Sequence, residues 1–194
     1  MKSLIVGLFF TFGSLLFGQN LTLDKSHARL QFFVTHMTIS TVDGKFNEFD
    51  VVLNNFDQND ITKSTITVVA QTNSIDTGIE ARDNHLKSAD FFDVAQYKTI
   101  EFKSTSLEKI IGNTYKLNGN LTMSGVTKPI TLTLVYNGNS INSANNIKSY
   151  GFTIKGTINR SSYEIGKKIP ESVIGNDIKI LSNLELSLIH ISEP

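Results

Sequence analysis

Alternation of apolar and polar residues runs through most of this 194-residue chain and narrows what it can fold into. A period of two puts every second side chain on one face of an extended strand. Ala28, Leu30, Phe32, Val34 and His36 share such a face. So do Ile130, Leu132, Leu134 and Tyr136, then Tyr150, Phe152, Ile154 and Ile158. Near the end, Ile178, Ile180, Leu184 and Leu186 stand opposite Lys179, Asn183 and Glu185. Further strands are expected around 45–54, 62–72, 98–107 and 113–123, with turns at Asp43-Gly44, Gly112-Asn113, Ser124-Gly125 and Asn137-Gly138. That makes about eight strands, mostly with short connections, and one long interruption at 75–97. Neither a solenoid period nor a Pro/Ser-rich linker divides them, so a single domain is expected over 20–188. Long antiparallel strands in this number favour an all-β, eight-stranded antiparallel barrel, which removes exposed edges; a sandwich is the main rival. The interior of such a barrel can hold one small ligand.

Residues 1–19 lie outside the pattern. Lys2 precedes an apolar run from Leu4 to Phe17 with small residues at Gly13 and Ser14, the layout of a secretory signal peptide cut near Gly18 or Gln19. An uncleaved anchor competes, but the run is shorter than the ~20 residues a spanning helix needs, and no other segment could span. After signal removal no stable membrane span is expected. Export and an Asn- and Lys-rich composition point to the periplasm of a bacterium. The chain has no cysteine, which removes disulfides, thiol nucleophiles, Cys-bound zinc and a Cys-linked lipid. Its formal net charge is zero, against the basic footprint of a nucleic-acid partner. The tail at 189–194 continues no pattern and is expected to fray. Oligomeric state is not set by the sequence, and a homodimer stays open.

The charged stretch "SIDTGIEARDNHLKSADFFD" at 74–93 interrupts the strands. Asp76 and Thr77 can cap a helix beginning near Gly78, giving one helical insert near 78–92. Asp83 and Lys87 are spaced to pair on its surface. Ile79, Leu86 and Ala89 form a thin apolar stripe, followed by Phe91 and Phe92, so the helix needs a barrel end or flank to lie on. A structural plug or lid is the plain reading. A place at a ligand entrance is the functional one, with Arg82 and His85 meeting a polar head. Asp83 and His85 point to different helical faces, and no nucleophile elbow is present, so no catalytic residue is assigned.

Of the four histidines, His27 and His36 are separated by an odd number of residues and would face opposite sides of one strand. There is no H-x-H or HExxH pattern, and no metal site or cofactor is assigned; His85 with nearby carboxylates is the one combination left open. His36 shares the face of Phe32 and Val34. It is either a buried histidine bonded to backbone or a group that orients a ligand hydroxyl or quinone oxygen.

Five blocks carry a resemblance: "DKSHARLQFFVTHM", "VDGKFNEFD", "IDTGIEARDNHLKSADFFDVAQYKTIEFKSTS", "LNGNLTMSGVTKPITLTL", and "YGFTIKGTINRSSYEIG" with "GNDIKI". In this order, over roughly residues 21–186, they resemble the YceI-like family of exported bacterial proteins. Two departures stand out: Tyr97 is followed by Lys98 where the family has proline, and "RSSYEIG" at 160–166 replaces its R.DFG block, with Tyr163 in the aromatic place. The resemblance implies a lipocalin-like barrel enclosing a polyisoprenoid or related amphiphile. Periodicity alone leaves a dry core and a lined cavity equally open.

On the resemblance, the preferred reading is a non-enzymatic carrier for an isoprenoid or quinone-like lipid. Phe32, Val34, His36, Phe102, Leu132, Leu134, Phe152 and Ile154 are then expected to line the cavity, with Phe91 and Phe92 closing one end. A scaffold protein with a filled core is the alternative. A lipid-modifying enzyme using His36 or His85 is a third, without a cofactor motif to support it.

Overall fold

A computed structural model describes residues 19–188. Its strands are β1 (Gln19–Leu23), β2 (Arg29–His36), β3 (Ser40–Phe46), β4 (Phe49–Phe56), β5 (Thr65–Gln71), β6 (Ile75–Asp76), β7 (Thr99–Ile111), β8 (Thr114–Met123), β9 (Val126–Ile141), β10 (Lys148–Asn159) and β11 (Ile174–Leu188), with one α-helix, α1 (Glu80–Lys87). All pairings are antiparallel. Eight strands close a ring in the order β1, β4, β5, β7, β8, β9, β10, β11, sealed by the β11–β1 pairing. The barrel is therefore the correct choice over the sandwich. The expected signal sequence lies outside the described residues except for Gln19, which opens β1, and the tail at 189–194 lies outside them too. Among the described residues, no helix is long and apolar enough to cross a membrane.

β11 does two jobs because of its length. Its last residues, Leu186–Leu188, pair with β1, while Ile178–Asn183 pair with β2. β2 carries β3 beside it, and β3 carries the short β6. This three-strand flap extends one end of the barrel wall and leads directly into α1.

The expected turns split into two kinds. Gly112 (φ 53°) with Asn113, and Ser124 with Gly125 (φ 47° and 76°), connect β7–β8 and β8–β9 as expected. Asp43-Gly44 and Asn137-Gly138 are not turns. Gly44 sits inside β3 opposite Phe32, whose ring lies so close that a Cβ there would fall 2.3 Å from it. Asn137 is the extra residue of a β-bulge, since Gly151 faces Gly138 and Phe152 faces Tyr136. The strand expected over 45–54 also breaks, at Asn47-Glu48, where the chain turns from β3 into β4.

Side-chain parity is as expected, and it fills the two ends of the barrel differently. At the β1 end, Leu21, Leu53, Ile66, Leu117, Leu134 and Leu186 are each no more than 2% exposed. Phe56 stands at the centre of an aromatic group there, 4.7 Å from Tyr150, 5.9 Å from Phe152 and 6.2 Å from Tyr136 between ring centroids. Edge-on contacts of this kind add to the burial energy of the rings. This end is solid.

Candidate functional site

The opposite end is hollow. A cavity of about 430 Å³ opens between β2, the α1 segment and the 160–175 loop, within the ~300–1,000 Å³ typical of small-ligand sites. A smaller chamber of about 100 Å³ lies next to it, and the two share Phe32, Phe46, Ile100, Met123, Ile158 and Ile180 as walls. The strands show the progression with depth. Along β2, His36 and Val34 line the outer cavity, Phe32 both spaces, and Leu30 the inner one. Along β10, Ile158 lines both, Ile154 only the inner one, and Phe152 neither.

Inward-facing glycines make this volume. Gly44, Gly119 and Gly156 occupy positions of the inward set, and each is covered by a bulky side chain. A Cβ at Gly119 would lie 2.4 Å from Phe102, and one at Gly156 would lie 2.4 Å from Leu132. Phe32, Phe102 and Leu132 thus lie flat over neighbouring strands instead of reaching across the barrel.

Of the residues expected to line a channel, Phe32, Val34, His36, Phe91 and Phe92 border the outer cavity. Phe102, Leu132 and Ile154 border the inner chamber. Leu134 and Phe152 are placed differently: at 0% and 1% exposure they pack into the solid end and line neither space. Their parity is right, but their depth is wrong, because no inward glycine opens the layer they occupy.

The mouth is built by α1 and the 160–175 loop. The helix starts at Glu80, later than expected, and Asp83 turns back to accept bonds from the Thr77 amide (2.9 Å) and hydroxyl (2.5 Å) rather than pairing with Lys87. These bonds tie the segment before the helix to its first turn, and an amide bond to a carboxylate holds better than an exposed ion pair. Arg82 donates to the Thr77 hydroxyl and carbonyl, both at 2.7 Å, and lines the cavity. Ile79 and Ala89 are exposed, so the expected apolar stripe reduces to Leu86, which borders the cavity. His85 lies edge-on to Phe91, 4.9 Å between centroids. Phe91 rests on Gly166, whose amide donates to the Asp90 carbonyl at 3.0 Å, joining the two segments over the opening.

Arg160 was not among the expected site residues. It is 4% exposed and donates to five backbone carbonyls, those of Ile165, Gly166, Ile169, Ile174 and Gly175. Burial pulls its pKa down, and the charge of Glu171 partly opposes this. Its guanidinium ties the loop into one piece and borders the cavity. The hint in the sequence was its place at the head of the "RSSYEIG" block, which pointed to the motif but not to the role of its arginine. Nearby Tyr163 is 2% exposed, and burial raises its phenol pKa.

Chemically, the outer cavity is an apolar pocket with cationic or neutral polar groups at its rim: Thr35, His36, Thr77, Arg82, His85 and Arg160, with no carboxylate in the wall. A polar groove of about 540 Å³ runs outside the barrel past Lys25, Arg29, Lys45, Glu48 and Asp50. Its charges answer one another, as in the 2.9 Å Lys25–Asp50 pair, so it makes a poorer site. His27 stands on no strand; it ends a single 3-10 turn, so facing parity with His36 does not apply. Among the described residues, Asp24, His27 and Glu185 bring ligand-type atoms within 4.8 Å on the outer surface, whereas His85 belongs to the mouth.

Comparison with known proteins agrees with this architecture. A UPF0312 protein of Staphylococcus aureus strain USA300 is 36% identical over 175 residues, covering 87% of this chain and 98% of the relative. The crystal structure of a Campylobacter jejuni YCEI protein superposes with a TM-score of 0.74 at 28% identity, over 80% of this chain and 90% of that one. A polyisoprenoid binding domain from Saccharophagus degradans has the same fold at 15% identity, with a TM-score of 0.67 over 87% and 98% of the two chains. The family model for the YceI-like domain matches residues 21–186, the whole barrel from β1 to β11, and the chain belongs to the YceI-like family.

Proposed function

We propose that this protein binds and carries an amphiphilic lipid of isoprenoid type, with its tail in the barrel and its head at the mouth between His36, Arg82 and His85. The observation that carries this reading is the apolar cavity of about 430 Å³, with a smaller apolar chamber behind the walls the two share. A buried hydrocarbon tail gains roughly 0.8 kcal/mol per methylene, which outweighs the ordering of one chain within a few prenyl units. The Saccharophagus domain bears a polyisoprenoid-binding name, and its shared fold is consistent with a similar use here. The protein acts as a binding protein, not an enzyme, and works in the periplasm after export by its N-terminal segment.

Extraction of the protein purified from its own host with organic solvent, followed by mass spectrometry, tests this. A stoichiometric lipid is expected. Failure to extract one, together with failure to load any isoprenoid onto the delipidated protein, would remove the carrier reading in favour of a scaffold.

A further inference from the structure

The wall around the outer cavity is built in two ways. Most of it is sheet, but among the described residues β6 pairs with β3 alone, while β7 pairs with β5 and β8. No ladder therefore joins β6 to β7, and the chain between them fills that place with α1 and the turns after it. This segment supplies Thr77, Arg82, His85, Leu86, Phe91 and Phe92 to the cavity lining.

Its bonding is almost wholly its own. The Thr77 amide and hydroxyl go to Asp83, and Arg82 goes back to Thr77. The amides of Phe92, Asp93, Val94 and Tyr97 go to the carbonyls of Leu86, Ser88, Lys87 and Asp93. The ends are fixed to the barrel. Asp76 is held by Asn47 at 3.1 Å and Lys45 at 3.5 Å, while Thr72 donates to the Tyr97 carbonyl at 2.6 Å and the Lys98 carbonyl at 2.9 Å. Between those ends, both polar links to the rest of the described protein run through Asp90. Its carbonyl accepts from the Gly166 amide at 3.0 Å, and its carboxylate meets Lys168 Nζ at 3.3 Å. α1 has no buried residue, and Phe91 is the one buried side chain in 77–97. Its ring rests on Gly166, and that of Phe92 stands edge-on to Phe46 at 6.0 Å. Few buried contacts and self-contained bonding are the marks of a unit that opens before the rest of the fold.

Resting on the carrier reading above, we propose that residues 77–97 form a shutter with Asp90 as its latch. The segment swings outward as one piece about pivots at Asp76–Thr77 and Tyr97–Lys98. A lipid tail enters and leaves the barrel sideways through the gap this uncovers, and is not threaded end-on past the polar rim.

The chain has no cysteine, so Asp90→Cys with Lys168→Cys gives one pair of thiols that a short bis-maleimide can join. Neither position lines the cavity. With the shutter tied, stopped-flow binding and release of a fluorescent fatty acid should both slow at least tenfold, while its affinity by calorimetric titration stays within about twofold. Lys168→Ala removes the exposed ion pair and keeps the backbone bond, so both rates should rise about two- to fivefold. Hydrogen exchange of the ligand-free protein gives a measure that needs no probe and no cross-link. The Gly166 amide should exchange faster than those of Phe92 and Asp93, which ride on the shutter with their bonds intact, and Lys168→Ala should speed Gly166 alone. Rates indifferent to the cross-link would overturn sideways entry. Gly166, Phe92 and Asp93 exchanging together would show the segment unfolding in place, and would overturn the shutter. Absence of saturable binding would sink the carrier reading, and hydrogen exchange would then decide whether the segment still swings.

Discussion

The two ends of this barrel are made from the same strands with the same side-chain parity, yet one is solid and the other hollow. β10 passes through both: Phe152 is fully packed, Ile154 touches the inner chamber, and Ile158 faces both chambers. Size alone does not separate them, since Phe32 and Phe102 are as large as Phe152. The difference lies in what stands across from each residue. Phe152 projects toward Phe56 and Tyr136, while Phe32 lies over Gly44 and Phe102 over Gly119. A barrel of eight strands is narrow enough to be filled by ordinary side chains. Opening it requires residues that withhold theirs, and the inward glycines do so in the upper layers.

The largest expected effect sharpens this contrast. Phe152→Ala leaves a hole in a close-packed aromatic group and should cost about 3–5 kcal/mol in urea denaturation. Val34→Ala removes a half-buried wall of an existing cavity and should cost roughly 1 kcal/mol or less, while weakening ligand binding. Equal costs at the two positions would show that the hollow end collapses in solution and is packed like the other.

Arg160 gives the next effect. Replacing it with Met takes a donor from five carbonyls, of which that of Gly166 keeps the Ile169 amide, and about 2–4 kcal/mol of stability is expected to go. Hydrogen exchange should rise first across 160–175 and leave the β1 end protected. Arg160→Lys rescues little, because an ammonium has three donors and no planar fork. Uniform loss of protection over the whole barrel would mean that the loop and the solid end form one cooperative unit.

Smaller in stability but larger in function is Gly44→Ala. The new methyl would meet the far end of the Phe32 ring at 2.3 Å and turn it into the cavity. Stability should change by about 1 kcal/mol or less, since a strand glycine is itself unfavourable and the ring can rotate. Affinity for a prenyl ligand should drop at least tenfold, measured by the same calorimetry. Unchanged affinity would break the claim that the glycines create the site.

These glycines also mark where the sequence was legible and where it was not. Period two identified the inward faces of β2, β9, β10 and β11 because it depends only on neighbours along the chain. Short-range chemistry found the Gly112 and Ser124-Gly125 turns for the same reason. Asp43-Gly44 looked identical to them, but its glycine is required by Phe32 on the adjacent strand, a contact that local spacing does not encode. Depth was hidden too: Leu132 and Leu134 are equivalent in pattern, and only the closeness of Gly156 to Leu132 separates the chamber from the solid end. Arg160 heads the quoted "RSSYEIG" block, but its role was hidden because its partners are backbone carbonyls, which have no sequence signature.

The smallest expected effect lies outside both cavities, beside the solid end, and tests whether the two ends are independent. Asp24 caps the 3-10 turn through the Ser26 amide and contacts His27 Nδ1 at 2.9 Å, with Glu185 of β11 close by. The hydrogen bond to Asp24, then its charge, raises the His27 pKa; the same bond is the main cause lowering that of Asp24. The His27 contribution is fully present below its ordinary value of 6.5 and is lost as pH rises through its raised folded value. The Asp24 contribution is present above its ordinary value of 3.8 and is lost as pH falls through its lowered folded value. Both operate together between 3.8 and 6.5, so the melting temperature should dip slightly on going from pH 6 to pH 8. Asp24→Asn keeps a capping side chain but removes the charge, so it should flatten that dip and return the His27 pKa, followed by NMR, toward its ordinary value. Because the pair sits on the outer wall at the β1 seam, ligand affinity at the far mouth should be the same in both proteins at pH 6. An affinity that follows the Asp24 substitution would show strain passing along β11 from the solid end to the hollow one, and the two would have to be treated as a single coupled structure.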